Sequence, residues 1–124
     1  MDNDKRDYIR HGDVDLVRIS DKSNAGKVKK GLVLADGEIT GHRHEVKSRG
    51  KERCRATLYE PDNPNMDLVV KGKEMSAEIE GVLEVLDEAI LDHPDHGVIS
   101  LPEGIYAVLG AREFNGMEEV RARD

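Results

Sequence analysis

Tryptophan is absent, phenylalanine occurs once and tyrosine three times, so any interior of this 124-residue chain has to be built from Val, Leu, Ile and Ala. The lone Cys54 cannot form an internal disulfide, and there is no Cys-x-x-Cys pair for redox chemistry or zinc. Also missing are a Gly-x-Ser-x-Gly elbow, a phosphate-binding glycine loop and a His-Glu-x-x-His helix, which removes the familiar hydrolase, nucleotide and zinc-protease signatures. No apolar stretch of signal-peptide length follows Met1-Asp2-Asn3-Asp4-Lys5-Arg6-Asp7, and no window reaches the roughly 18 apolar residues that span a bilayer. The chain also ends in Arg121-Ala122-Arg123-Asp124, without a lipidation signal. These absences predict a cytoplasmic protein with no membrane contact. Positive charge is also short. Nineteen Lys and Arg stand against 26 Asp and Glu, a net charge of −7, which argues against duplex nucleic acid as a partner because that affinity comes chiefly from a surplus of cations.

What is present reads as one all-β domain, a small barrel or sandwich over residues 1–124, with polar tails at about 1–8 and 115–124. Residues 1–10 are polar, and a first strand runs from Val14 to Ile19 with His11-Gly12-Asp13 at its opening. Asp21 to Gly26 has loop composition. Leu32-Val33-Leu34-Ala35 is β-prone and stops at Asp36-Gly37, a hairpin signal, after which Glu38 to Val46 is extended again. Lys47 to Arg53 reads as a charged loop. Arg55 to Tyr59 alternates, Pro61-Asp62-Asn63-Pro64-Asn65 is a turn, and Leu68-Val69-Val70 ends at Gly72.

Residues 75–91 satisfy two patterns. Met75, Ile79, Val82, Leu83, Leu86 and Ile90 fit one helical face, whereas Ala77, Ile79, Leu83, Val85, Ala89 and Leu91 share strand parity around Gly81. The all-β surroundings favour two short strands, with one helix as the alternative. Val98 to Leu101, a turn at Pro102-Glu103-Gly104 and Ile105 to Leu109 read as a final hairpin.

Four of the five histidines fall in two tight pairs. His42 and His44 leave the same face of an extended segment with Cα atoms about 7 Å apart, a chelating geometry. His93 and His96, with Pro94 between them, converge on a turn or a helix end. Imidazole is a preferred ligand of Zn, Fe, Ni and Cu, so these four are the candidate metal ligands and a divalent transition metal the candidate cofactor. Three would leave an open, catalytic position and four would close the centre. Solvated loop histidines are the competing account. His11 is either a fifth member or a strand-opening residue, Asp92 and Asp95 flank the second pair as supporting or solvated charges, and Glu45 points away from His44 by strand alternation.

Charge is segregated as well. Arg43, Lys47, Arg49, Lys51, Arg53 and Arg55 face only Glu45 and Glu52 in sequence, while residues 74–95 hold eight acidic residues and no basic one. Neutralisation within a chain or between protomers of a homo-oligomer follows more readily than nucleic-acid binding, since stacking aromatics apart from Tyr59 are missing there. Cys54, between Arg53 and Arg55, reads as a packed thiol.

The His-x-His at 42 and 44, followed by Pro102-x-Gly104 before a closing strand, resembles the cupins, small metal-binding β-barrels. The resemblance implies a metal at His42 and His44 only. Ser48 and Arg49 stand where cupins place a glutamate ligand, and Ala107 where they place a later histidine. Gly41-His42-Arg43-His44, His93-Pro94-Asp95-His96-Gly97, Leu101 to Tyr106 and Arg112-Glu113-Phe114 are similar to a group of small uncharacterised proteins of prokaryotes and their viruses, spanning residues 9–114. That similarity implies a shared fold and no activity. Two functional readings result: a divalent-metal-binding β domain of unknown activity, with or without catalysis, any small-molecule substrate being unidentified; or a non-catalytic accessory or assembly module, cellular or phage-related, whose histidines are structural or solvated.

Overall fold

A computed structural model describes residues 8–11, 14–36, 43–48, 50, 55–93 and 97–109. They form twelve strands: β1 (Tyr8–His11), β2 (Val14–Ile19), β3 (Ala25–Val28), β4 (Val33–Asp36), β5 (Arg43–Ser48), β6 (Ala56–Pro61), β7 (Asn65–Val70), β8 (Lys73–Glu78), β9 (Gly81–Val85), β10 (Ala89–His93), β11 (Gly97–Leu101) and β12 (Gly104–Leu109). Every pairing is antiparallel. A six-stranded sheet runs β1-β2-β12-β9-β6-β3, a four-stranded sheet runs β11-β10-β5-β4, and β7 and β8 make a separate hairpin.

The six-stranded sheet is the middle of three layers. One face packs on the four-stranded sheet through Leu16, Leu83, Tyr106 and Val108 against Val46, Leu91 and Leu101. The other face packs on the hairpin through Val17, Val82, Ala107 and Leu109 against Leu68, Val70 and Ala77. Successive residues of a strand point to opposite faces, so a strand covered on both sides must be apolar at both parities. This explains the unbroken burial of Val14-Asp15-Leu16-Val17 and of Tyr106 to Leu109. Asp15, 1% exposed in that run, accepts a 2.6 Å hydrogen bond from the Tyr8 hydroxyl and lies 3.6 Å from the Arg10 Nε.

Several expectations are corrected. The architecture is a layered sandwich: among the described residues neither large sheet closes on itself, so the barrel alternative is not realised. The helix alternative for 75–91 fails too, because this stretch contains β8, β9 and β10. Its apolar residues divide between two cores, with Ala77 and Ile79 on the hairpin side and Leu83, Val85, Ala89 and Leu91 between the large sheets. Gly81 fits here because an added Cβ would stand 3.1 Å from the Tyr59 carbonyl oxygen. Residues 8–10, read within the polar N-terminal stretch, form β1 together with His11, and the Asp21–Gly26 loop ends earlier than read because β3 begins at Ala25.

The expected final hairpin is a crossover between layers. β11 pairs with β10, whereas β12 pairs with β2 and β9. Tyr106 fixes the corner: its buried hydroxyl donates to the Pro102 carbonyl at 2.6 Å and accepts from Arg18 Nη2 at 3.1 Å, while Arg18 Nη1 donates to the Glu103 carbonyl at 3.0 Å. Gly104, at φ 150°, leaves room for that guanidinium; a Cβ there would collide with it.

Candidate functional site

Three histidines meet at one end of the layer between the two large sheets. His11 ends β1 and shares parity with the buried Ile9; His44 lies in β5 at the parity of Val46; His93 ends β10 at the parity of Leu91. The β5–β10 register pairs Leu91 with Val46 and Asp92 with Glu45, and one further step sets His93 opposite His44. The alternation that aims these rings inward turns Glu45 and Asp92 to the outer face. Relative exposures are 3% for His11, 2% for His44 and 6% for His93.

The His44 and His93 ring centroids are 4.2 Å apart with planes at 36°. His11 approaches both edge-on, at 5.0 Å from His44 and 6.2 Å from His93. Its Nε2 is 2.9 Å from the Gly97 carbonyl oxygen, and its Nδ1 is 3.0 Å from the His44 Nδ1. A carbonyl only accepts, so His11 Nε2 carries a hydrogen. In neutral His11, Nδ1 is then the acceptor, His44 Nδ1 donates to it, and His44 Nε2 is the basic nitrogen; protonating His11 reverses the two roles. Gly97 lies at φ 77°, in the left-handed region that glycine tolerates best, and that conformation presents its carbonyl to His11.

Of the four expected ligands, the structure brings together His44 and His93. His42 and His96 lie outside the described residues, as do Asp95, Cys54, Gly37 and the charged tail beyond residue 109. His11, read as an optional fifth member, is in the cluster. Its signal was the alternation of Ile9 and His11 ahead of Gly12-Asp13, a two-residue connection to Val14 of the kind that closes a hairpin. Among the described residues, no group of three or more His, Cys, Asp or Glu side chains is arranged to hold a metal ion. As they stand, the facing nitrogens of His11 and His44 are engaged with each other.

On the outer face, Lys47 Nζ donates to Asp92 Oδ2 at 2.8 Å. That hydrogen bond, with the attached attraction, holds the Asp92 carboxyl below its ordinary range and raises the Lys47 ammonium above its own. Here the basic and acidic segments of the sequence meet within one chain, on adjacent strands. A second link ties the loop before β3 to the central sheet: Lys22 Nζ is 3.0 Å from Glu84 Oε1, which also accepts from the Tyr59 hydroxyl at 3.1 Å.

A family described as a domain of unknown function, DUF8820, matches residues 10–110, a span that holds His11, His44, His93 and Gly97. The chain belongs to this family. No curated protein and no solved structure matches it. The three converging histidines of this DUF8820 domain therefore have to be interpreted from their own chemistry. No helix among its described residues is long and apolar enough to cross a membrane.

Proposed function

We propose that this DUF8820 domain binds a divalent transition metal at the buried histidine cluster, with His11, His44 and His93 as ligands. The observation that carries the reading is His11: one ring nitrogen is tied to the Gly97 carbonyl while the other faces His44 Nδ1 at 3.0 Å. Metal-binding imidazoles characteristically donate their second N–H to a carbonyl or carboxylate, which fixes tautomer and orientation. Two imidazole nitrogens on one tetrahedral zinc, each about 2.05 Å from the ion, stand about 3.3 Å apart, so a shift of a few tenths of an ångström admits an ion in place of the bridging proton. His93, whose ring lies tilted beside that of His44 at 4.2 Å, would supply the third nitrogen after turning its ring. Three neutral imidazoles leave a fourth position for water, and with it Lewis-acid capacity.

The second reading is a histidine lock without metal, favoured by the direct His11–His44 hydrogen bond, in which the rings only pin the sheet ends of an accessory module. Untagged protein equilibrated with Zn²⁺ or Co²⁺ and then desalted separates the two. Metal binding requires near one equivalent retained and a loss of affinity on the order of 100-fold in His44→Ala and in His11→Ala. Retention below about a tenth of an equivalent, with all variants alike, selects the lock. His42→Ala and His96→Ala in the same assay report whether the other members of the two sequence pairs add ligands.

A further inference from the structure

The β7–β8 hairpin is fastened differently at its two ends. At its base, where the chain enters and leaves, hydrogen bonds fix the backbone. Asp62 N donates to the Asn24 carbonyl at 2.8 Å, Asn63 N donates to Asn24 Oδ1 at 2.7 Å, and Asn24 Nδ2 donates to the Asn63 carbonyl at 2.8 Å. On the return side, Glu80 N donates to the Val108 carbonyl of β12 at 2.7 Å. At the tip the fastening is a side chain. The turn is Lys71-Gly72, with Val70 paired to Lys73 across it. Both turn residues have positive φ, 53° and 82°, and Lys71 is the one non-glycine residue in the left-handed region among the described residues. Hairpin turns of this shape ordinarily take Asn-Gly or Asp-Gly, which adopt it at lower cost. What lysine adds is reach: its Nζ lies 5.3 Å from the centroid of the Tyr8 ring, within the range of a cation–π attraction. Tyr8 is oriented from behind, since its hydroxyl donates to the buried Asp15 carboxylate at 2.6 Å, and that bond also polarises the ring. Tyr8 pairs with Val17, so the tip is fastened beside the apolar strip that Leu68 and Val70 bury.

We propose that the hairpin is a flap, hinged at the Asn24 end and latched at its tip by the Lys71 ammonium on the Tyr8 ring, whose release uncovers Val17 and Leu109 from the tip inward. The hinge follows from the hydrogen bonds at the base, which a swinging tip leaves intact. The latch follows from Lys71. Its backbone strain belongs to the turn and is the same with the flap open or shut, whereas the cation–π contact exists only when the flap is shut. Lys71→Gly therefore separates the two: it relieves the left-handed strain and deletes the attraction, so the turn forms more easily while the flap opens more easily.

Thiol labelling of the full chain reads the opening. Val70→Cys reports the tip, Ala77→Cys the base, and Ala89→Cys the separate core between the two large sheets; all three positions are buried. Each is treated with a maleimide under conditions where closing outpaces reaction, and the labelled peptide is assigned by mass spectrometry, so Cys54 stays in place. Adding Lys71→Gly is expected to speed labelling at Val70→Cys about two- to fivefold, with a smaller effect at Ala77→Cys and none at Ala89→Cys. Lys71→Arg, which keeps a cation over the ring, is expected to label Val70→Cys at the rate of the parent. Labelling at Val70→Cys that Lys71→Gly leaves unchanged or slows would overturn the proposal, because turn strain and not the latch would then govern opening. Equal acceleration at all three positions, or as large an acceleration from Lys71→Arg, would overturn it as well.

Discussion

His11 and Gly97 are separated by 86 positions and meet through one hydrogen bond, and that contact shows how far the sequence could lead. His44 and His93 were legible as candidates because their spacing from other histidines marked them. That they face each other depends on the β5–β10 register, which no local pattern encodes. His11 had no neighbouring histidine and lay beside a segment whose polar composition concealed a strand. Gly97→Ala is expected to destabilise the fold by roughly 1–2 kcal/mol in urea unfolding, since its φ of 77° burdens any Cβ even though open space surrounds the position. The same variant is expected to weaken metal retention about tenfold by misaligning the carbonyl that holds His11. Tyr106→Phe keeps the ring but removes the hydroxyl from the buried Pro102 carbonyl. Its expected cost in the same unfolding assay is about 1–3 kcal/mol, with no change in metal content.

Among the elements, alternation and turn chemistry revealed most strands, and tertiary pairing decided the rest. The Pro102-Glu103-Gly104 turn was visible, yet whether it closes a hairpin or carries the chain to another layer turns on Arg18 and Tyr106, which arrive from outside the turn. Residues 75–91 were ambiguous because their apolar side chains serve two cores, which blurs a single period. Leu83→Ala, at a fully buried position of β9 in the middle of the central sheet, is expected to cost about 2–5 kcal/mol. The Lys22–Glu84 link has a pH signature. The hydrogen bond to Glu84, then that to Tyr59, raises the Lys22 ammonium above its ordinary 10.5. A folded-state value above the unfolded one stabilises the protein fully below pH 10.5 and is lost as pH rises through the folded value. Comparing thermal midpoints at pH 8 and about 11.5, wild type is expected to lose slightly more stability than Lys22→Met, the effect being small because the ammonium is exposed.

For the molecule as a whole, composition and alternation were enough to indicate an all-β fold, but a three-layer arrangement with a doubly covered central sheet needs knowledge of which strands lie inside. Runs such as Val14 to Val17 and Tyr106 to Leu109 hold that information in retrospect, since both of their parities are buried. At this scale the metal proposal has a thermodynamic readout besides metal content. An ion that binds the folded chain alone is expected to stabilise it by about 2.7 kcal/mol at 100 times its dissociation constant, so Zn²⁺ should raise the thermal midpoint of wild type and leave that of His11→Ala/His44→Ala unchanged.

The β7–β8 hairpin covers one face of the central sheet without joining either large sheet by a strand ladder. Its adhesion rests on side chains such as Leu68, Val70 and Ala77. Such a cover can lift as a unit while the ladders behind it persist, which makes it the natural first step of partial opening. In native-state hydrogen exchange, amides of β7 and β8 should therefore report a lower opening free energy than those of β2, β9 and β12, and mild denaturant should expose Val17 and Leu109 before it disturbs Leu16 or Leu83.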